Sequence, residues 1–125
     1  MKKLLIVEQE AVILEILDQR FSTDGWTVVA CSDGKSAIEY MDSFCPQILL
    51  TNILIPFYSG IELLQIARSR PQPIEVVILA LLVDPEVKTQ CHEMGAAAYL
   101  TKPFDLEELL QTVNQLYQNQ VELKD

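Results

Sequence analysis

The stretch Pro46 to Gly60, PQILLTNILIPFYSG, limits what this chain can fold into more than any other. Ile48, Leu49 and Leu50 follow one another without polar alternation. Such a run suits a strand covered on both faces, which is the habit of parallel sheets. The expected strand runs from Gln47 to Asn52, breaks into a loop, and enters a helix at Ser59. Ser59 with Glu62 three residues later forms a capping box, and Ile61, Leu64 and Ile66 carry that helix to about Arg70. A buried parallel strand needs neighbours joined by helical crossovers, so the rest of the chain has to supply them. Whatever ends such a strand faces the crevice where open α/β sheets place their chemistry. Here that residue is Asn52, a neutral amide.

Taken in order, the chain meets this demand. Lys2 to Val7 reads as a first strand, and Ala11 to Phe21 as a helix with Ile13, Ile16, Leu17 and Phe21 at helical spacing, stopped by Gly25. Trp26 to Cys31 is strand-like, and Asp33 caps a helix over Lys35 to Met41. After the central strand and its helix, Pro71 and Pro73 break the chain before a fourth strand, Ile74 to Ala80. Asp84, Pro85 and Glu86 open a helix as cap, first-position proline and first-turn acid. Val87, Cys91 and Met94 line its face until Gly95. Ala96 to Thr101 is a fifth strand. Asp105, with Glu108 at the third position, starts a last helix whose stripe is Leu106, Leu109, Leu110, Val113, Leu116 and Tyr117. Strands alternating with helices predict a three-layer, doubly wound five-stranded parallel sheet, (βα)5, with right-handed crossovers. Residues 1–120 form its single domain, with 121–125 a polar tail or the start of a linker.

Composition excludes several functions. The chain has 125 residues, enough for one core without covalent staples. Nine Lys and Arg against 18 Asp and Glu give a net charge of −9. Phosphate-backbone recognition needs clustered cations, and none occurs, so direct nucleic-acid binding is not expected. The longest apolar run, Val76 to Val83, is far short of the roughly 20 residues of a membrane span. The basic start, Met1 to Val7, is ended too early by Glu8, Gln9 and Glu10 to be a secretory leader. Cys31, Cys45 and Cys91 are odd in number and sit among apolar residues, so they read as buried, reduced thiols of a cytoplasmic protein.

The carboxyl ends of the expected strands are Glu8 to Glu10, Thr51 and Asn52, Ala80, and Thr101 to Pro103. No glycine-rich dinucleotide fingerprint follows the first strand, and there is no P-loop. The only histidine, His92, lies off the apolar stripe of its helix and reads as a surface residue rather than a base. Thr51 faces away from Asn52 by the period-two geometry of a strand and reads as core. Glu10 starts the first helix, where its charge suits the dipole, with a weak metal contact as the alternative.

Three blocks now resemble one family. Ile6-Val7-Glu8-Gln9-Glu10, then Leu49 to Pro56 with Gly60, then Gly95 to Asp105 are similar to the receiver domain of bacterial response regulators, over residues 2 to about 118. The resemblance is to the chemotaxis-type, flavodoxin-like form, and implies strand order 2-1-3-4-5. It also implies an aspartate that takes phosphate at the end of strand three and an acidic pair after strand one that holds Mg²⁺. It further implies a hydroxyl at the end of strand four, a mobile aromatic in strand five, and a lysine followed by a cis proline after strand five.

Carried over position by position, the pattern is broken. Asn52 stands at the acceptor position, Glu8 and Gln9 at the acidic pair, and Ala80 at the switch hydroxyl, while Tyr99, Lys102 and Pro103 match. Phosphoryl transfer to protein needs an anionic oxygen and a divalent ion, and an amide is no such nucleophile. Mg²⁺ wants hard anionic oxygens, and Glu8 with two neutral amides is a poor set. Glu8 and Lys102 sum to zero charge, so they are expected to pair, and Mg²⁺ binding is expected to be weak or absent. The expectation is a degenerate receiver, or pseudo-receiver: no enzyme, no cofactor, not phosphorylated, and acting as a protein–protein interaction module. Its partners would be a histidine kinase, an output domain or another signalling protein, with a homodimer through the last two helices and strand five as one possibility. The alternative is a phosphorelay receiver still regulated by residual metal or ligand binding. Leu81, Leu82 and Val83, with Phe57 and Tyr58, form apolar loops over the pocket that would suit docking, as would the surface around Tyr99.

Overall fold

The computed structural model describes residues 1–81 and 84–124. Five strands alternate with five helices: β1 (Lys3–Val7), α1 (Ala11–Thr23), β2 (Thr27–Cys31), α2 (Gly34–Ser43), β3 (Ile48–Asn52), α3 (Gly60–Arg68), β4 (Glu75–Ala80), α4 (Pro85–Glu93), β5 (Ala98–Thr101) and α5 (Leu106–Lys124). All strand pairs are parallel and the sheet order is β2-β1-β3-β4-β5, the flavodoxin-like arrangement. β3 is the middle strand, and every one of its residues is buried, which is why its apolar run carries no polar alternation.

Alternate side chains enter two layers. Leu5, Val7, Leu49, Val76 and Ile78 meet Ala37 and Met41 of α2, Leu63, Leu64 and Ala67 of α3, and Cys91 of α4. Leu4, Ile6, Ile48, Leu50 and Val77 meet Leu17 and Phe21 of α1 and Leu109, Leu110 and Val113 of α5. Helix starts fall where the caps put them. Asp33 accepts from the Ser36 amide at 2.7 Å, Ser59 and Glu62 form both halves of the capping box, and Asp84 accepts from the amides of Glu86 and Val87. Asp105 accepts from the Glu107 amide at 2.9 Å. α5 is fastened to the start of β2 through the preceding Trp26, whose indole donates to Asn114 at 3.0 Å and whose ring meets Tyr117 edge-on at 5.4 Å.

Four expectations need correction. Residues 121–124 continue α5 instead of forming a tail; no Gly or Pro interrupts the sequence after Asp105, so nothing stops the helix. Ile16 is not part of the buried stripe of α1: it is 51% exposed, while Leu17 and Phe21 are sealed. Cys45 is exposed, whereas Cys31 and Cys91 are buried; it lies in the turn between α2 and β3 with φ of 54°, which turns it away from the core. β5 begins two residues later than the apolar pattern proposes, because Ala96 and Ala97 are still in the turn after Gly95.

Candidate functional site at the carboxyl edge of the sheet

The ends of β1, β3, β4 and β5 converge on one edge, and each delivers a residue by strand geometry. Continuing past β1, Glu8 bonds its amide to the Cys31 carbonyl at 3.1 Å, which keeps the chain extended beside β2. Its side chain is therefore fixed pointing inward and is 1% exposed. Past β5, the Lys102 amide donates to the Ala80 carbonyl at 2.7 Å, so the base of the lysine is held against β4. The following Lys102–Pro103 peptide is cis.

Lys102 and Glu8 meet as expected. The Lys102 ammonium donates to Glu8 Oε1, with side-chain exposures of 7% and 1%. It also reaches Glu10 Oε1 at 3.5 Å, where the carboxylate is 60% exposed. The second contact was not anticipated from Glu10 as a helix opener. Glu10 sits at the N-cap of α1 without a side-chain cap bond, so its carboxylate is left available to the lysine. Glu8 and Glu10 are two apart on either side of a bend at Gln9, and both reach Lys102. The other oxygen of Glu8, Oε2, is buried and has no hydrogen-bond partner among the described residues.

Asn52 is buried at the end of β3, and its amide is turned onto its own chain. Oδ1 accepts from the Ile53 amide at 2.8 Å, an Asx-type bond that competes with any outside partner for that oxygen. The backbone around it is tightly held. Thr51 donates its hydroxyl to the Asn52 carbonyl at 2.9 Å and is itself fully buried, as a core threonine should be. The Gly60 amide donates to the Ile53 carbonyl at 2.9 Å. A Cβ on Gly60 would stand 2.2 Å from the Asn52 carbonyl oxygen, so only glycine admits this approach. The loop between is pinned at its far side by the Gly34 amide, which donates to the Pro56 carbonyl at 3.0 Å. Phe57, at its tip, adopts φ of 69° and is 77% exposed.

The remaining positions are distributed unevenly. Gln9 is exposed beside the cluster. Ala80 is 3% exposed and packs in the layer with α3 and α4. Tyr99 is 8% exposed in that same layer, so it lies inward and offers a partner almost no surface. Burial pushes its phenol upward from 10.0, with the charges of Cys91 and Asp84 adding to the rise. His92 is exposed, in keeping with a surface role. Leu81 is 58% and Tyr58 42% exposed, while Leu82 and Val83, the rest of the apolar loop singled out by sequence, lie outside the described residues. A cleft of about 380 Å³ runs past Glu10, Ile13, Leu81, Lys102, Pro103 and Phe104. A larger one, about 810 Å³, lies at the opposite edge near Arg68 and Arg70. Those two arginines are already paired with Glu75 and Asp42, and none of the strand-end groups reaches it.

The sequence profile of the response regulator receiver domain matches residues 4–114. The chain belongs to this family. It is 32% identical over 113 residues to the regulator of RpoS from Escherichia coli (strain K12), covering 90% of this chain and 34% of that protein. It is 33% identical over 108 residues to the probable transcriptional regulator ycf27 of Guillardia theta, covering 86% of this chain and 42% of that protein. The receiver domain thus spans less than half the length of those two relatives. Sporulation initiation phosphotransferase F of Bacillus subtilis (strain 168) is 27% identical over 112 residues, with 90% of each chain covered. Among solved structures, the Francisella response regulator 1452 receiver domain superposes with a TM-score of 0.90 at 29% identity, over 96% of this chain and 99% of that one. Receiver domains are regulatory parts of two-component signal transduction, so that is the setting of this one. No helix among the described residues is long and apolar enough to cross a membrane.

The Mg²⁺ that the family resemblance implies does not fit the residues present. Its donors would be hard anionic oxygens. Here Glu8 Oε1 is bonded to an ammonium, Asn52 Oδ1 to a backbone amide, and Gln9 is neutral. Among the described residues no group of three or more His, Cys, Asp and Glu is placed to hold a metal ion.

Proposed function

We propose that this receiver domain takes no phosphate and acts as a docking module for a protein partner in a cytoplasmic signalling pathway. The observation that carries the reading is Asn52. It stands at the end of the central strand, where the family resemblance puts the acceptor aspartate, and its side-chain oxygen is tied to the Ile53 amide. An amide oxygen so engaged is neither anionic nor free to attack phosphorus. Gln9 in place of a second acid and Ala80 in place of a hydroxyl remove the metal and the switch contact that would follow transfer. Tyr99 is already inward, so its position does not await a signal.

Docking is supported by where the apolar surface lies. Val12 at 71%, Leu54 at 67%, Phe57 at 77% and Leu81 at 58% are exposed in segments that follow β1, β3 and β4 at the carboxyl edge. Apolar side chains gathered at one edge mark an interaction surface more than a solvated one. The exposed positions of α4 and α5, by contrast, include Lys88, Gln90, Glu93, Glu108 and Gln111, which makes that face the weaker candidate for the homodimer. A kinase, an output domain or another signalling protein would meet the edge directly. The test is an amide NMR titration with beryllofluoride and Mg²⁺. Spectra that do not move support the reading; a saturable shift centred on Asn52 and Lys102 contradicts it.

A further inference from the structure

The charged groups at the carboxyl edge do more than fill a vacated pocket. Glu8 is a carboxylate at 1% exposure, and a buried carboxylate requires a counter-charge. The counter-charge is supplied from the other end of the sheet's functional edge. Lys102 carries its ammonium from β5 to Glu8 and Glu10 at once, and its base is anchored by the bond from its amide to Ala80. Two carboxylates and one ammonium leave a net charge of −1, borne in part by the solvated Glu10. Glu8 Oε2 is buried without a hydrogen-bond partner among the described residues.

We propose that the Lys102 ammonium is an internal cation. It takes, in the charge balance of this edge, the part a divalent ion would play, and it ties the start of α1 to the end of β5 permanently. The domain therefore holds this edge together without metal, and Glu8 with Glu10 becomes a pair of hard oxygen donors for a divalent cation only when the ammonium is removed. The inference rests on these three side chains and not on the fate of Asn52, so it stands or falls separately from the proposed function.

The test compares the full chain with Lys102→Met by thermal unfolding in EDTA, MgCl₂ and MnCl₂, at ionic strength balanced with choline chloride so that general screening is constant. The wild-type midpoint should move by less than about 1 °C between these conditions. Lys102→Met should melt on the order of 10 °C lower in EDTA and recover at least about half of the loss with saturating Mn²⁺ or Mg²⁺, as a ligand bound only by the folded state requires. Adding Glu10→Gln to Lys102→Met should abolish that recovery. A saturable stabilisation of the wild type by Mg²⁺, or a Lys102→Met protein indifferent to both ions, overturns the proposal. Should Lys102→Met fail to fold in every condition, the side-chain amine NMR signal of Lys102 in the wild type decides. A slowly exchanging ammonium unmoved by Mg²⁺ supports the internal cation; one displaced by Mg²⁺ overturns it.

Discussion

Breaking the Lys102–Glu8 pair from one side should be far more damaging than removing it whole. The pair is largely buried, with side-chain exposures of 7% and 1%, so solvent screens it little. Lys102→Met then strands the Glu8 carboxylate in the interior, a loss of about 3–5 kcal/mol for a buried pair broken from one side. Glu10 mitigates little, because its carboxylate is 60% exposed and such contacts are worth at most about 1 kcal/mol. A domain of this size has roughly 5–15 kcal/mol in total, so the variant should remain folded but marginal. With a urea dependence of about 2 kcal/mol per molar, its unfolding midpoint should drop by roughly 2 M. The companion variant Glu8→Gln with Lys102→Met removes both charges and keeps both volumes. It should be nearly neutral, within about 1 kcal/mol of the wild type, and therefore more stable than Lys102→Met alone. Circular dichroism in metal-free buffer, over the four proteins of the double-mutant cycle, measures the coupling directly. If Lys102→Met costs less than about 1 kcal/mol, or the two single losses simply add, the side chains do not form a desolvated pair and the reasoning fails.

Three further outcomes follow from local geometry. Gly60→Ala puts a methyl 2.2 Å from the Asn52 carbonyl oxygen, so the loop must shift at a cost of about 3 kcal/mol, visible as displaced amide signals at Asn52 and Ile53; an unchanged spectrum would refute the close approach. Asp33→Ala should cost about 1 kcal/mol at neutral pH through the lost cap. The folded Asp33 carboxyl titrates below its ordinary 3.8, chiefly because it accepts from the Ser36 amide. Its contribution is thus present above that value and lost as pH falls through the lower folded one, so the gap between wild type and Asp33→Ala should close only in acid. Of the three thiols, Cys45 should react quickly with a water-soluble alkylating agent while the buried Cys31 and Cys91 do not. Burial pushes Cys31 up to about 11, so stability tied to its neutral thiol is present below the ordinary thiol range and falls as pH rises through the folded value. Equal labelling of all three would contradict the packing.

How much of this was legible in the sequence depended on whether the deciding interaction is local. Asp33, Ser59, Asp84 and Asp105 cap helices through bonds to residues two or three ahead, so their chemistry can be read from spacing alone. The unbroken run of β3 likewise announces a strand buried on both faces. Ile16 could not be placed so easily: it lies about 100° around the helix from Leu17, and which of the two is covered depends on tertiary packing. Tyr99 gave no local sign of its inward rotamer, which depends on packing against the layer of α3 and α4. The Glu8–Lys102 pair spans 94 positions and was legible only through charge balance at strand ends that the topology brings together. Glu10 was read as a helix opener or a weak metal contact, and its contact with Lys102 across 92 positions has no local signature.

In the proposed reading, the strand-end amide closes this receiver domain to phosphate. Its most direct test is intact-protein mass spectrometry after incubation with a small-molecule phosphodonor and Mg²⁺, run beside the Asn52→Asp variant. The wild type should stay unmodified, and the Asn52→Asp protein should also be modified poorly, because Gln9 and Ala80 still withhold the metal ligand and the hydroxyl. A stoichiometric, Mg²⁺-dependent gain of one phosphoryl group by the wild type would contradict it.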